Sequence, residues 1–224
     1  FGFEGASQMQ RLFRDGLLSS HAALGYSERI RQLSEATHDE TARPADLLSE
    51  FVEGNILALQ NLTQTVTRQE IETAVQMISK AATVHVTGFR RAFPVASYLV
   101  YSLLQAGKRT VFIDGVAGLA MPQVKSIAPD DLLIAISYHP YASETVAVVE
   151  AAREGGAKVL AISDSAVSPI AAPANLALLT RESEVRSFRS LSASMCLAQA
   201  LVINFAFAAT QPDEKPTRKR RGNS

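Results

Sequence analysis

A chain of 224 residues, 47% of them hydrophobic, is long enough to bury one sizeable core and a small appendage. Its single cysteine, Cys196, excludes an intramolecular disulfide and a thiolate metal site, and it favours a reducing, intracellular compartment. The single cysteine therefore leads us to expect a cytoplasmic protein. The four histidines are scattered without metal-ligand spacing, so we expect neither a metal nor a cofactor. They are His21, His38, His85 and His139.

The formal net charge is zero, but the charges are unevenly spread. Residues 212–224 carry five basic and two acidic side chains, which leaves the rest of the chain with a formal charge of −3. Such a body is not a general binder of polyanions. The terminal segment has two prolines and no apolar residues, so we predict a disordered basic tail over residues 211–224.

The N-terminal third shows helical rather than strand periodicity. Apolar residues recur at three- and four-residue spacing at Leu48, Phe51, Val52, Ile56, Leu59 and Leu62. This spacing is typical of an amphipathic helix. Thr67, followed three residues later by Glu70, predicts a capping box at the start of a second helix. We therefore expect a helical linker or hairpin over residues 21–81.

Beyond residue 83 short β-prone runs replace the helical period, at residues 84–86, 111–113, 132–136, 158–162 and 176–179. The intervals between them suit a strand, a helix and a return, so helical segments should fill the gaps. We predict an α/β fold, a three-layer αβα sandwich with a doubly wound five-stranded parallel sheet, preceded by an N-terminal helical segment.

A long apolar segment, residues 191–209, approaches the length of a membrane span but contains Ser192, Ser194, Gln199 and Asn204. A buried helix that packs against the sheet and a partner subunit explains this composition better than a bilayer helix. We therefore predict a homodimer or a tetramer without a membrane anchor, in which Val202 or Phe205 faces the partner.

Five short segments of the second half of the chain form a recognisable series: VHVTG at 84–88, DLLIAIS at 131–137, Glu144 with Thr145, GAKVLAISD at 156–164, and SPIA at 168–171. This series resembles the SIS (sugar isomerase) domain, and the resemblance covers roughly residues 80–210. Within that superfamily the chain looks most like the effector domain of RpiR-type bacterial transcriptional regulators, which join a helix-turn-helix domain to an SIS domain. The resemblance implies that residues 1–20 are a remnant of the helix-turn-helix domain and that residues 82–210 are the SIS effector-binding domain.

The turn after the third predicted strand reads Ser-Tyr-His-Pro-Tyr-Ala-Ser over residues 137–143. It has more hydrogen-bonding side chains than a plain strand-to-helix loop needs, and ligands of parallel sheets bind at the carboxyl ends of the strands. SIS domains that hold phosphosugars commonly read Ser-x-Ser-Gly-x-Thr-x-x-Thr here. This chain keeps Ser137 and Thr145, but it has His139, Pro140 and Ala142 in place of the second Ser, the Gly and the middle Thr.

Two arginines after the first strand compensate for the lost hydroxyls. Gly88 precedes Phe89, Arg90 and Arg91, and a guanidinium near a helix N-terminus can hold a phosphate or a carboxylate. Because the first and third strands are neighbours in this fold, both loops should face one crevice. The predicted ligand-binding residues are Gly88, Arg90, Arg91, Ser137, His139, Tyr141, Ser143 and Thr145, and no catalytic residue is assigned.

Weaker candidates follow the last predicted strand. Residues 186–190 should open the last long helix, where they either reach the crevice or cap the helix, and Glu182 and Glu184 correspond loosely to the bases of SIS isomerases. His85 alternates with valines inside a strand, which favours a core histidine with a satisfied ring.

These features favour an effector-binding SIS domain of a transcriptional regulator of sugar or related carbon metabolism. It would sense a small anionic sugar derivative, a phosphosugar or a sugar acid, and control DNA binding through an N-terminal domain without being an enzyme. A sugar-phosphate aldose–ketose isomerase is the alternative, which needs a base near the substrate carbon. A scaffolding dimer is a third possibility if aromatic side chains fill the crevice.

Overall fold

The computed structural model describes residues 26–36 and 46–210. Three helices come first: α1 (Tyr26–Ala36), α2 (Asp46–Thr65) and α3 (Arg68–Lys80). The predicted capping box of α3 is confirmed, since the Thr67 side chain accepts a hydrogen bond from the Glu70 backbone and the Glu70 carboxylate accepts one from the Thr67 backbone. The predicted helix-turn-helix remnant and the predicted basic tail lie outside the described residues.

Five parallel strands follow, within one or two residues of their predicted bounds. They are β1 (Val84–Thr87), β2 (Thr110–Ile113), β3 (Leu132–Ser137), β4 (Lys158–Ser163) and β5 (Leu176–Leu179). Their order in the sheet is β2-β1-β3-β4-β5, so β1 and β3 are neighbours, as predicted. All six residues of β3 are buried, as expected of a central strand covered on both faces.

Helices cover both faces of the sheet. After β1 and a short 3₁₀ turn comes α4 (Phe93–Gln105), and α5 (Ala120–Val124) precedes β3. The chain then forms α6 (Ser143–Glu154) after β3 and α7 (Ser192–Thr210) near its end. Apolar residues of α2, α3, α4 and α7 form the core on one face of the sheet, and those of α5 and α6 form the core on the other. The predicted three-layer α/β sandwich is confirmed.

Two connections differ from the sequence-based expectation. Between β4 and β5 the chain makes successive turns instead of a helix, in a segment that contains Pro169 and Pro173. Residues 186–190 do not open the last helix. They belong to a two-stranded antiparallel hairpin of β6 (Glu184–Val185) and β7 (Phe188–Arg189), which the sequence analysis missed because each strand has only two residues.

Helix α7 is long and apolar enough to cross a membrane, but it packs against α2, α3 and α4. Val202 and Phe205 both point inward, contrary to the expectation that one of them faces a partner. The large exposed side chains are instead Ile203, which is 51% exposed, and Phe207, which is 67% exposed. A 100° rotation per residue puts them on the outer side of the helix.

Helix α2 forms as predicted, but its apolar face is only partly covered. Leu62 is buried and Phe51 is half-buried. Leu48, Val52, Ile56 and Leu59 remain exposed. The apolar face of α2 is therefore larger than the area that the rest of the chain covers.

Candidate ligand-binding site

A cavity of about 170 Å³ lies where the carboxyl ends of β1 and β3 meet. Its wall comes from the loops after both strands, from the β6–β7 hairpin and from α1. The lining residues are Arg29, Phe89, Arg90, Arg91, Ala92, Ser137, Tyr138, His139, Pro140, Ala142, Glu184, Ser187 and Arg189. The volume is below the roughly 300–1,000 Å³ typical of drug-sized ligands, so the cavity suits a smaller molecule.

A second hollow, of about 350 Å³, lies at the amino ends of β3 and β4. Its lining includes Lys80, Lys158, Asp130 and Asp131, so its formal charges balance. Ligands of open parallel sheets bind outside the carboxyl ends of the strands. The smaller cavity is therefore the candidate site.

The loop after β3 is held in place by internal hydrogen bonds. The buried Ser137 Oγ accepts a bond of 3.2 Å from the Ala142 backbone N–H. The His139 backbone N–H donates to Asp164 Oδ2 over 2.9 Å. Tyr138 is also buried, and its ring forms part of the cavity wall. Ser137 thus shapes the turn with the same hydroxyl that the sequence analysis assigned to a ligand.

The loop after β1 approaches the first turn of α6. The Phe89 backbone N–H donates to the buried Thr145 Oγ1 over 3.4 Å, which joins the two loops. Gly88 lies under α4, where an added Cβ would come within 3.0 Å of the Ala96 Cβ. Glycine is needed there for close packing of the strand end against the helix.

Arg90 and Arg91 have different environments. Arg90 has a positive φ of 56°, and its exposed guanidinium forms an ion pair of 3.1 Å with Glu144. Arg91 is half-buried and donates from Nη1 to the backbone carbonyls of Arg189 and Ser190, over 3.2 and 2.7 Å. Burial lowers the pKa of Arg91, although the guanidinium stays charged at neutral pH.

Arg91 also lies over the Tyr138 ring, with its guanidinium carbon 4.9 Å from the ring centre. Burial raises the pKa of the Tyr138 phenol well above its ordinary value, so the ring is neutral and its face attracts the cation. This contact and the two carbonyl bonds fix the guanidinium against the wall of the cavity.

The β6–β7 hairpin brings Glu184 and Arg189 to the cavity. Arg189 donates from Nε to Glu184 Oε2 over 2.7 Å and from Nη1 to the His139 carbonyl over 2.6 Å. The hairpin turn places Arg186 and Ser187 in the left-handed region, with φ of 48° and 67°. Such a turn matches the twist of a two-stranded ribbon, although non-glycine residues rarely adopt it.

Helix α1 completes the wall through Arg29. Its Nη1 donates to the Ser187 carbonyl over 2.9 Å. The guanidinium lies 5.5 Å from the centre of the Phe188 ring and 5.8 Å from that of Tyr26. Arg29 therefore fastens α1 to the turn of the hairpin.

The wall of the cavity is strongly basic. Its charged residues are the arginines at 29, 90, 91 and 189 and the single carboxylate of Glu184. Burial lowers the pKa of His139, and the positive charge of Arg189 lowers it further, against the opposing effect of Asp164. An anion in the cavity would favour the protonated ring.

The structure brings four of the eight predicted residues together on the cavity wall: Arg90, Arg91, Ser137 and His139. The other four lie outside it, at Gly88, Tyr141, Ser143 and Thr145. Tyr141 stacks edge-on against His139, and Ser143 is exposed and donates to Glu144. Gly88 and Thr145 support the loops from behind.

Arg29 was not among the predicted ligand-binding residues, and Glu184 and residues 186–190 were only weaker candidates. Their positions depend on how α1 and the hairpin fold back over the sheet, which no local pattern indicates. The arginines at 186 and 189 in a polar segment after the last strand were the one available signal.

Two other candidates have structural roles. Glu182 accepts from the backbone N–H groups of Ala193 and Ser194, over 3.1 and 2.8 Å, so its carboxylate caps α7. His85 is buried, as predicted, and its Nε2 lies 3.2 Å from Asp131 Oδ2, but its Nδ1 has no partner in the described structure. Among residues 26–36 and 46–210 no group of His, Cys, Asp or Glu is arranged to hold a metal ion.

Comparison with known proteins identifies the fold family. Residues 77–204, more than half of the chain, match the SIS domain family. The chain belongs to the SIS domain family. A curated relative of this SIS domain is YbbH of Bacillus subtilis (strain 168), described as an uncharacterized HTH-type transcriptional regulator, which is 28% identical over 176 residues. That alignment covers 78% of this chain and 62% of the relative, so the chain spans less than two thirds of the relative's length.

Solved structures agree with this assignment. The sugar isomerase domain of an RpiR transcription factor from Sphaerobacter thermophilus has a TM-score of 0.70 and 27% identity, and the match covers 72% of this chain and 90% of that one. The predicted resemblance to RpiR-type effector domains is therefore confirmed. The Vibrio vulnificus NanR protein, solved in complex with ManNAc-6P, has a TM-score of 0.66, with coverage of 91% and 75%, but its 18% identity shows the shared fold alone.

Proposed function

We propose that this SIS domain is the effector-binding part of a transcriptional regulator of sugar or related carbon metabolism. A small anionic sugar derivative, a phosphosugar or a sugar acid, binds in the cavity between the loops after β1 and β3. Occupancy of the cavity then controls DNA binding by an N-terminal domain. The similarity to YbbH and to the RpiR transcription factor supports the regulatory role.

One observation carries the choice of an anionic ligand: four arginines and one carboxylate line a small cavity. Guanidinium groups bind phosphate and carboxylate through charge-assisted, often bidentate hydrogen bonds. A group of like charges on one wall is unfavourable unless an anion compensates it. The ligand that suits this wall is small and negatively charged.

The loop after β3 supports a modified mode of anion binding. In this chain the Ser137 hydroxyl is engaged by the Ala142 backbone, and His139 and Pro140 replace hydroxyl-bearing and glycine positions. The guanidiniums of Arg189 and Arg90 take the place of the missing hydroxyls as hydrogen-bond donors to the anion. Since the bound molecule of NanR is ManNAc-6P, a hexose phosphate is the first ligand to test here.

A homodimer is part of the proposal. Large apolar side chains are exposed on α2, α4 and α7, including Leu57, Tyr101, Leu104, Ile203 and Phe207. Exposed apolar side chains at this density favour association with another apolar surface. A second copy of the chain would cover them and would bring two DNA-binding domains together.

The test is a ligand panel followed by site variants. Sugar phosphates, including ManNAc-6P, are compared with sugar acids and uncharged sugars by thermal shift, and Kd is measured for the strongest hit. We expect anionic compounds to raise the Tm and uncharged sugars to leave it unchanged. Arg90→Ala and Arg189→Ala should each raise the Kd of the confirmed anion by roughly 10-fold or more. Arg68→Ala is the control, because Arg68 is an exposed arginine on α3 that does not line the cavity, and its substitution should leave the Kd unchanged.

Stabilisation by uncharged compounds alone would rule the proposal out. The same conclusion follows if Arg90→Ala and Arg189→Ala both leave the affinity of a confirmed anion unchanged.

An aldose–ketose isomerase is the second candidate, because Glu184 and His139 both line the cavity and are residue types that act as general acids and bases. One oxygen of the Glu184 carboxylate is already engaged by Arg189 Nε over 2.7 Å, which gives a regulator's structural ion pair as much support as a catalytic base. Incubation with aldose and ketose phosphates in deuterated water distinguishes the two functions. Deuterium incorporation at the carbon next to the carbonyl, lost in Glu184→Gln, would establish the enzyme.

A further inference from the structure

We propose that Arg29 of α1 is a ligand-binding residue of the cavity. Arg29 lies outside residues 77–204, which match the SIS domain family, so the ligand would be held jointly by the SIS domain and by the helix that precedes it. The inference rests on the proposed binding of an anion in this cavity. It adds a specific contact and a route by which binding reaches the N-terminal part of the chain.

The unsatisfied donor of Arg29 is the first observation. Its Nε is buried and has no hydrogen-bond partner in the described structure. A buried donor without an acceptor is unfavourable, and nearly all such groups in folded proteins find a partner. Since Arg29 lines the cavity, an oxygen of a bound anion can supply that acceptor.

The second observation is that the guanidinium is already fixed. Its Nη1 donates to the Ser187 carbonyl over 2.9 Å, and the rings of Tyr26 and Phe188 lie within 6 Å of its central carbon. An arginine held in this way loses little side-chain entropy when it meets a ligand. Arg91 and Arg189 line the same cavity, and their positive charge also favours an anion there.

The position of Arg29 has a consequence for regulation. The same side chain touches Ser187 and Phe188 of the hairpin, and the hairpin supplies Glu184 and Arg189 to the cavity. Ion pairing of Arg186 with Glu50, and a bond from Ser183 to Asn55, fasten the hairpin to α2 as well. A ligand that binds Arg29 and Arg189 together therefore stabilises the docked position of α1 and α2, which precede the SIS domain in the chain.

The experiment measures Kd by calorimetry for glucose 6-phosphate and for inorganic phosphate, with glucose as the uncharged probe. We expect Arg29→Ala to raise Kd for whichever anion the unaltered protein binds by roughly 10-fold. Arg29→Lys keeps the charge but lacks the Nε–H donor of the guanidinium, so we expect it to raise the Kd as well. Arg31→Ala is the matched control, because Arg31 lies on the same helix, is exposed, and pairs with Glu28.

Tyr26→Ala separates ligand contact from helix docking. It removes the Tyr26 ring, which lies 5.4 Å from Phe188 and 5.8 Å from the guanidinium carbon of Arg29, and so weakens the packing of α1 on the hairpin. The guanidinium and its bond to the Ser187 carbonyl are retained, so we expect a smaller loss of affinity than in Arg29→Ala. An affinity loss in Tyr26→Ala equal to that in Arg29→Ala would overturn a direct contact. Unchanged Kd in Arg29→Ala and Arg29→Lys, with a loss in Arg189→Ala, would overturn this inference and leave the proposed function standing. If neither anion binds the unaltered protein and no anion of the ligand panel raises its Tm, both this inference and the proposed function are wrong.

Discussion

Arg189 donates a hydrogen bond of 2.6 Å to the backbone carbonyl of His139, fifty residues earlier in the chain. This bond joins the β6–β7 hairpin to the loop after β3 and closes one side of the cavity. Because His139 also donates its backbone N–H to Asp164, the loop is held from both sides. The cavity is therefore built largely by backbone groups and arginine side chains, and the hydroxyls of its loop mainly shape the turn.

Arg91→Ala should destabilise the fold, because it removes two hydrogen bonds to carbonyls and the contact with the Tyr138 ring. We expect a loss of about 1–3 kcal/mol in the free energy of unfolding. Urea denaturation at neutral pH measures it. Arg68→Ala, whose side chain is 93% exposed, should change the stability by less than about 0.5 kcal/mol. Equal effects of the two substitutions would mean that Arg91 contributes nothing to the fold.

Thr67→Ala should remove the cap of α3, because the side chain accepts from the Glu70 backbone N–H. The expected loss is about 1 kcal/mol in the free energy of unfolding, measured by thermal or urea denaturation. Thr73→Ala, on an exposed position of the same helix, serves as the control, since alanine has the higher helix propensity there. A similar loss in both variants would indicate a general effect of removing threonine from α3.

Stability should depend on pH through His139. Burial lowers the pKa of His139 in the folded protein, and the groups that face it are Arg189, Asp164 and Tyr141. The unfolded chain then binds more protons than the folded one below about pH 6.5, so the contribution of His139 to stability begins to fall there and is lost as the pH falls through the lower pKa of the folded state. Tm measured between neutral pH and mildly acidic pH should therefore fall less in His139→Gln than in the unaltered protein.

Binding of an anion should also depend on pH through His139, and in the opposite direction to stability. The negative charge favours the protonated His139 ring, so the affinity for an anionic sugar derivative should increase as the pH falls. Calorimetry at several pH values measures it, on the unaltered protein and on His139→Gln. A pH dependence of binding that is the same in both proteins would assign the titrating group elsewhere.

Ile203→Glu with Phe207→Glu should convert an oligomer into a monomer, because both side chains are exposed on the outer side of α7. A buried, unpaired carboxylate at an interface is strongly unfavourable. Sedimentation at micromolar concentration measures the change, and far-UV circular dichroism checks that the fold is retained. Lys125→Glu, an exposed position near α5 on the opposite face of the sheet, controls for added negative charge. A monomer of the unaltered protein would contradict the proposed dimer.

Much of the architecture follows from local patterns in the sequence. Short β-prone runs of three to five residues indicated all five parallel strands, and the interval between Thr67 and Glu70 indicated the start of α3. The adjacency of β1 and β3 followed from the family resemblance, and it correctly brought the loops with Arg90 and Ser137 to one crevice. These features were predictable because backbone conformation and burial in a parallel sheet depend mainly on neighbouring residues.

The remaining features depend on contacts between distant parts of the chain. Hairpin strands of two residues leave no periodicity, so the position of Arg189 beside His139 was not predictable, and neither was that of Arg29 beside Ser187, 158 residues away. Which side of α7 is covered was also undetermined, since its residues are apolar nearly all round and only packing against α2, α3 and α4 decides the outcome. The sequence by itself determined the sheet and the loops that approach the cavity. Only the tertiary structure decided which charged side chains close it, because a guanidinium reaches its acceptor through the folding of whole elements and not through its neighbours in sequence.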